Sequence, residues 1–170
     1  MNINNYVLVL FVGIFIFLSV LILFFKRQSR KHRYNQKKSK QILQKINSFE
    51  FEGQKLLYLR KINPFVFEEL LLEAFLKKGY KIERNHRYTG DNGIDGIVYK
   101  NGVKYLIQAK RYKEHINLKH LKDFAYIVHK NNCKGIFCHT GKTGKASKEL
   151  GANIDAISII SGQKLIELLK

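Results

Sequence analysis

Ile94-Asp95-Gly96-Ile97-Val98-Tyr99-Lys100-Asn101-Gly102-Val103-Lys104-Tyr105-Leu106-Ile107-Gln108-Ala109-Lys110-Arg111 is the stretch that decides the fold. Two strand-like runs, 94–100 and 103–111, flank an Asn-Gly pair. Asn-Gly is the preferred two-residue turn of a tight hairpin, because both central positions need positive φ. Lys100 then faces Val103, and counting back along both strands Asp95 faces Gln108. Directly opposed residues project from one face with Cβ atoms ~5 Å apart. Lys110, two residues beyond Gln108, shares that face. The hairpin therefore predicts that Asp95, Gln108 and Lys110 converge on one side, while Val98, Tyr105 and Ile107 face a core.

Upstream, Asn63-Pro64 reads as an N-cap followed by proline at the first helical position. Phe67, Leu70, Leu71, Ala74 and Phe75 then recur at helical spacing, and Gly79 ends the run. Glu68 lies on the margin of this apolar stripe, from which a carboxylate can reach over a sheet. Glu69 lies nearly opposite the stripe and is expected in solvent with Glu73. A short strand is expected at Tyr80–Glu83 and a polar loop at Thr89–Gly93. Downstream, Asn117 caps a helix carrying Leu118, Leu121, Phe124, Ala125 and Val128. A buried-type strand at Lys134–Thr140, a helix at Lys142–Leu150, a strand at Asp155–Ile160 and a helix at Gly162–Leu169 complete the order. This α-β-β-β-α-β-α-β-α succession implies an α/β domain, a central mixed sheet flanked by helices.

Asp95, Gln108, Lys110 and Glu68 suit metal-assisted phosphodiester hydrolysis. Mg²⁺ takes oxygen ligands and needs only one or two carboxylates beside water and substrate phosphate. Asp95 supplies one carboxylate, Glu68 a second, and the Gln108 carbonyl or a backbone neighbour another oxygen. Lys110 would orient the attacking water and stabilise charge on the phosphate. Phe67-Glu68, Gly79-Tyr80, Gly90-Asp91-Asn92-Gly93-Ile94-Asp95 and Gln108-Ala109-Lys110-Arg111-Tyr112 together resemble the Mrr-type branch of the PD-(D/E)xK restriction-endonuclease superfamily. Weaker similarity runs on through Gly135-Ile136-Phe137, Thr140-Gly141, Ala146 and Leu165. The resemblance implies a restriction-endonuclease-like αβββαβ core using Mg²⁺ or Mn²⁺. It makes Asp95 the metal ligand, Gln108 the replacement for the more usual acid, Lys110 the catalytic lysine and Glu68 the accessory acid. No separate DNA-recognition domain, usual in such enzymes, is expected within these 170 residues, which bears on a defence role more than on the chemistry.

Charge is distributed unevenly along the 170 residues. The total is +18, with none on residues 1–25, +10 on 26–62 and +8 on 63–170. Tyr6–Phe25 is an uncharged apolar run of the length that spans a bilayer. No basic residue precedes it, and Lys26-Arg27 follows it where a signal peptide would be cleaved. We expect one transmembrane helix at 1–25 and a basic juxtamembrane linker at 26–62. The nuclease domain then occupies 63–170. Basic flanks stay cytoplasmic, so the N-terminus is expected outside and the domain on the cytoplasmic face of a bacterial inner membrane. The stretch 26–40 is expected to meet anionic headgroups.

The remaining excess of positive charge fits DNA as partner. Arg111, Lys113, Lys142 and Lys145 are the candidate phosphate contacts. Thr140-Gly141-Lys142-Thr143 resembles part of a P-loop, but the first glycine of a Walker A motif would fall at Ile136. No nucleotide cofactor is therefore expected. Asp91-Asn92-Gly93-Ile94-Asp95-Gly96 lacks the distal glutamate of a calcium loop, and Asp91 reads as a loop-stabilising Asx turn. Cys133 and Cys138 match no zinc spacing and read as buried thiols. Among the histidines only His139, beside the basic turn, draws notice. Cutting both strands calls for two active sites, which a homodimer would supply. Two other readings stay open: a catalytically inactive nuclease fold that binds DNA or a partner at the membrane, and a lipid-recruiting structural protein.

Overall fold

The structure is a computed structural model that describes the backbone of residues 3–85 and 93–170; side chains of residues 1–10, 22 and 24–29 are outside the description. Its elements are α1 (Ile3–Asn47), α2 (Glu52–Leu59), α3 (Pro64–Lys77), β1 (Lys81–Glu83), β2 (Gly96–Lys100), β3 (Val103–Lys110), α4 (Leu118–Lys130), β4 (Lys134–His139), α5 (Lys145–Ala152), β5 (Ile157–Ile160) and α6 (Gly162–Leu168). The chain divides into two compact units, Met1–Asn35 and Gln36–Lys170.

Local chemistry sets the boundaries of the elements that hold the site. Asn63 Oδ1 accepts from the Phe65 amide at 2.9 Å, with Pro64 opening α3. Gly79 leaves the helix with φ +81°, a conformation open to glycine at little cost. Asn101 and Gly102 turn the hairpin with φ +52° and +76°, the signs that the tight turn requires. Lys100 pairs with Val103, and the ladder runs back to Gly96 opposite Ile107. The sheet has five strands in the order β1-β2-β3-β4-β5. The first three are antiparallel; β3, β4 and β5 are parallel. The mixed sheet expected from the sequence is thus present, although α5 starts at Lys145, three residues later than expected.

Both faces of this sheet are buried. Val98, Ile107, Ala109, Ile136 and Cys138 pack with α3 and α6. Leu106, Phe137 and Ile157 pack with Leu121, Phe124 and Val128 of α4. Each large apolar side chain so enclosed contributes about 1.5–3 kcal/mol. The face carrying Leu106, Gln108 and Lys110 is therefore a second core at its lower end and becomes polar only towards Lys110. Gly96 lies under α3, where an added Cβ would stand 2.7 Å from Leu72 Cδ2.

The stretch expected as a linker behaves differently along its length. It is helical through Asn47, and Ile42, Leu43 and Ile46 are buried in the core beside Leu59 at the end of α2. These segments cover the side of α3 that the helical wheel leaves to solvent. Glu69 and Glu73 are consequently not solvated, being 2% and 8% exposed. Arg84, just beyond β1, meets both, with Nε 2.8 Å from Glu69 and a terminal nitrogen 3.7 Å from Glu73. Lys40 adds a contact to Glu73 at 3.7 Å. The expectation of two solvent-facing acids fails because their counter-ions arrive from other elements.

Residues 3–47 are helical, so the backbone of the expected span is a helix. Several side chains of 6–25 lie outside the description, and among the described residues no helix is long and apolar enough to cross a membrane.

Candidate active site

The chain leaves the β2–β3 ladder at Gly96, one step short of the expected pairing of Asp95 with Gln108. The Asp95 amide donates to the Ile107 carbonyl at 2.8 Å. Its carboxylate turns onto the backbone of β3, where Oδ2 accepts from the Ala109 amide at 2.7 Å. Asp95 therefore sits against the residue between Gln108 and Lys110. The alternation that puts Gln108 and Lys110 on one face holds, but Asp95 does not join them as a directly opposed residue: its carboxylate meets Ala109, which belongs to the other alternation of β3, packed towards α3.

Three further hydrogen bonds, besides the Asp95 carboxylate, hold this irregular segment. The Gln108 amide nitrogen donates to the Gly93 carbonyl at 2.7 Å. Gly93 has φ +82°, and a Cβ there would fall 2.6 Å from that nitrogen. The Asn85 amide donates to the Ile94 carbonyl. Asp95 N–H closes the set. Gln108 is 5% exposed, and its Oε1 is buried with no hydrogen-bond partner among the described residues. A buried carbonyl oxygen left unpaired costs about 1–3 kcal/mol unless a donor, water or cation meets it.

Glu68 is half-buried and lines a narrow cleft with Asp95, Leu72, Ile94, Asn85 and Arg84. Glu69 lines the same cleft but is gripped by Arg84. The cleft thus brings together Glu68 and Asp95, two of the four residues singled out in the sequence. Lys110 is half-buried at the end of β3, paired in register with His139 of β4. Among the described residues no group of three or more His, Cys, Asp or Glu could hold a metal ion. The cleft does pair two carboxylates, Glu68 and Asp95, oxygen donors of the kind a hard cation such as Mg²⁺ takes, while Gln108 is not among its lining residues. Asp91, placed near this region by its sequence, lies outside the described residues.

Burial, and next the neighbouring Asp95 carboxylate, push the Cys138 thiol well above its ordinary range. Cys138 is wholly buried and chemically quiet. His139 is also wholly buried. Burial pulls its pKa down to about 4, with the Gly141 backbone partly opposing. The neutral ring meets Thr143 Oγ1 at 3.0 Å, and Thr143 meets Ser161 Oγ at 3.1 Å. These contacts brace the β4–α5 turn from below.

The expected DNA contacts divide. Lys113, Lys142 and Lys145 are exposed. They lie where the connections leaving β3 and β4 meet, tied by Lys142 N to Glu114 O at 2.9 Å and Ile116 N to Lys142 O at 3.0 Å. Those bonds and Thr140 N to Lys110 O at 3.3 Å engage part of the backbone of this turn. Arg111 is turned inward: its guanidinium donates to the carbonyls of Arg60 and Ile62. It holds the exit of α2 and is not placed as a phosphate contact. Asn85 and Arg84 were not singled out by the sequence. They follow a short strand without any motif, and only tertiary structure brings them to the cleft.

A mixed five-stranded sheet between helices, with an acid at a hairpin's open end beside a Gln-x-Lys strand, defines a nuclease domain with the restriction-endonuclease-like fold. The chain belongs to the Mrr_cat restriction endonuclease family, whose match runs over residues 59–169. Among solved structures, it resembles MspJI restriction endonuclease in complex with a 27-mer oligonucleotide. That likeness has a TM-score of 0.53 and 20% identity, over 69% of this chain and 30% of the other. The DNA modification-dependent restriction endonuclease AspBHI matches with TM-score 0.53 and 20% identity, over 69% and 35%. Restriction endonuclease FokI matches with TM-score 0.50 and 16% identity, over 66% and 26%. The chain spans about a third or less of those proteins, and at such identities the likeness concerns the fold. No curated protein sequence gives a match.

Proposed function

We propose that this protein is a divalent-metal-dependent endodeoxyribonuclease held at the cytoplasmic face of the inner membrane. The observation that carries the reading is the cleft shared by Glu68 and Asp95, with the Asp95 carboxylate seated on Ala109 between Gln108 and Lys110. In this reading Glu68, Asp95 and the unpaired Gln108 oxygen would hold Mg²⁺ or Mn²⁺. The cation, when bound, supplies a water of lowered pKa and positive charge for the scissile phosphate. The chain's own groups do the rest. Lys110 Nζ orients the attacking water and stabilises charge on the phosphate, and Asp95 is fixed by its bond to Ala109. Exposed Lys113, Lys142 and Lys145 bind the DNA backbone without reading sequence. A homodimer would present two such sites, one for each strand.

Membrane tethering is supported by the uncharged residues 1–25 and by exposed Phe11, Phe15, Phe17 and Leu23 on α1. The basic stretch 26–40 sets the expected topology and meets anionic headgroups. The test of function uses the full chain in detergent with supercoiled plasmid and Mg²⁺ or Mn²⁺. Nicking that chelation, Asp95→Ala and Lys110→Ala each abolish supports the enzyme. DNA retardation without cutting in either metal refutes it and favours a binding module. Recovery of the protein from salt-washed membranes tests the anchor.

A further inference from the structure

We propose that Asn85 is a positioning residue, whose side-chain amide fixes the peptide that delivers Asp95 to the metal. The inference rests on the reading of Asp95 as a metal ligand. Its basis is the departure of the chain from the sheet at Gly96, the last residue of β2 in the ladder. Beyond that point no strand pairing fixes residues 93–95. What holds them is a pair of amide side chains donating to consecutive carbonyls: Gln108 to Gly93 and Asn85 to Ile94. With two carbonyls held, the plane of the 94–95 peptide is set. The Asp95 amide then meets Ile107 O, and its carboxylate meets the Ala109 amide at 2.7 Å.

Asn85 is itself well held. It is half-buried in the cleft and follows Arg84, which buried Glu69 anchors at 2.8 Å. Arg84 is thus the fixed post, and Asn85 the hook beside it. The same arrangement explains why an amide serves at both 85 and 108: each must donate to a carbonyl oxygen, and a carboxylate at either position would face that oxygen without a proton.

The test compares Asn85→Asp, which keeps the shape and loses the donor, with Asn85→His, whose Nδ1–H stands near the place of the amide nitrogen. Amide hydrogen exchange is followed in the metal-free full chain, and Mn²⁺ binding is titrated in parallel. Asn85→Asp should speed exchange at Asp95 and Ala109 about tenfold or more while leaving β4 unchanged. It should also weaken Mn²⁺ binding about 10- to 100-fold, the usual effect of losing a group that orients a ligand. Asn85→His should recover most of both. In cleavage, kcat should fall while KM for DNA stays put. Unchanged exchange at 95 and 109, or loosening spread evenly over the sheet, overturns the proposal. Should the wild type bind Mn²⁺ and never cut DNA, the nuclease reading fails, while the exchange and binding results still decide the role of Asn85.

Discussion

Gln108→Glu is a revealing perturbation, because it converts the amide into the acid that the wider nuclease superfamily uses. The Gln108 nitrogen donates to Gly93 O at 2.7 Å, and its oxygen is buried without a partner among the described residues. An ionised glutamate loses that bond, about 1 kcal/mol. It also places a charge where the nearest identified group is another oxygen, about 1–3 kcal/mol more. The metal-free variant should therefore be about 2–4 kcal/mol less stable, a fall of roughly 10 °C in Tm for a domain of this size. The pH dependence gives the sign. Burial raises the folded-state pKa of such a glutamate above the usual value of about 4.3. The penalty is absent below the unfolded pKa, where both states are protonated, grows as pH rises past it, and levels off above the folded pKa. Saturating Mg²⁺ or Ca²⁺ should recover more stability in the variant than in wild type. Calorimetric or circular-dichroism melts at pH 4 and pH 8, with and without metal, read all of this. A variant as stable as wild type at pH 8 without metal would show that the Gln108–Gly93 bond does not hold the loop.

Other perturbations test separate parts of the structure. Lys110→Ala should abolish nicking while retaining DNA binding in a gel-shift assay, whereas Lys142→Ala with Lys145→Ala should weaken DNA binding and flatten its salt dependence by about two charges. His139, whose pKa burial lowers to about 4, should make the protein lose stability as pH falls from about 6.5 towards 4. The unfolded chain binds that proton first, a change of up to about 3 kcal/mol, and His139→Gln should remove the slope in urea titrations run across that range. The Cβ of Gly96→Ala would stand 2.7 Å from Leu72 Cδ2, so the substitution should cost about 1–3 kcal/mol in thermal unfolding with partial loss of cleavage. Arg84→Met leaves Glu69 and Glu73 buried without their shared cation. Arg84 is partly exposed, so a loss of about 2–3 kcal/mol is expected in urea melts, restored in part by Glu69→Gln.

The parts of this fold that could be read from sequence are those dictated by residues close together in the chain. Asn63-Pro64, Gly79, Asn101-Gly102 and Asn117 each impose a local backbone geometry, and each marks a boundary where the structure has one. The hairpin register also follows from its turn. The register stops being predictive at Asp95, because the chain leaves the ladder for side-chain hydrogen bonds from Asn85 and Gln108 that no period announces. A single apolar stripe on α3 was the wrong premise for Glu69 and Glu73. Val66 and Leu72 lie outside that stripe and are buried too, so the helix is enclosed nearly all round. Whether an acid on such a helix is solvated or buried depends on a counter-ion from elsewhere, here Arg84 and Lys40. Arg111 shows the same point in reverse: an arginine next to Lys110 reads as a phosphate contact until two carbonyls from the end of α2 meet it.

One core cluster joins Ile42, Leu43 and Ile46 near the start of the chain to Leu165, Ile166 and Leu169 at its end. On a ribosome, the first of these emerge long before the last. Until α6 is released, the cluster that it shares with α1 and α3 is incomplete and the sheet lacks part of its cover. The core is therefore complete only once α6 has left the ribosome. A product stalled before α6 would expose apolar helix faces to proteases.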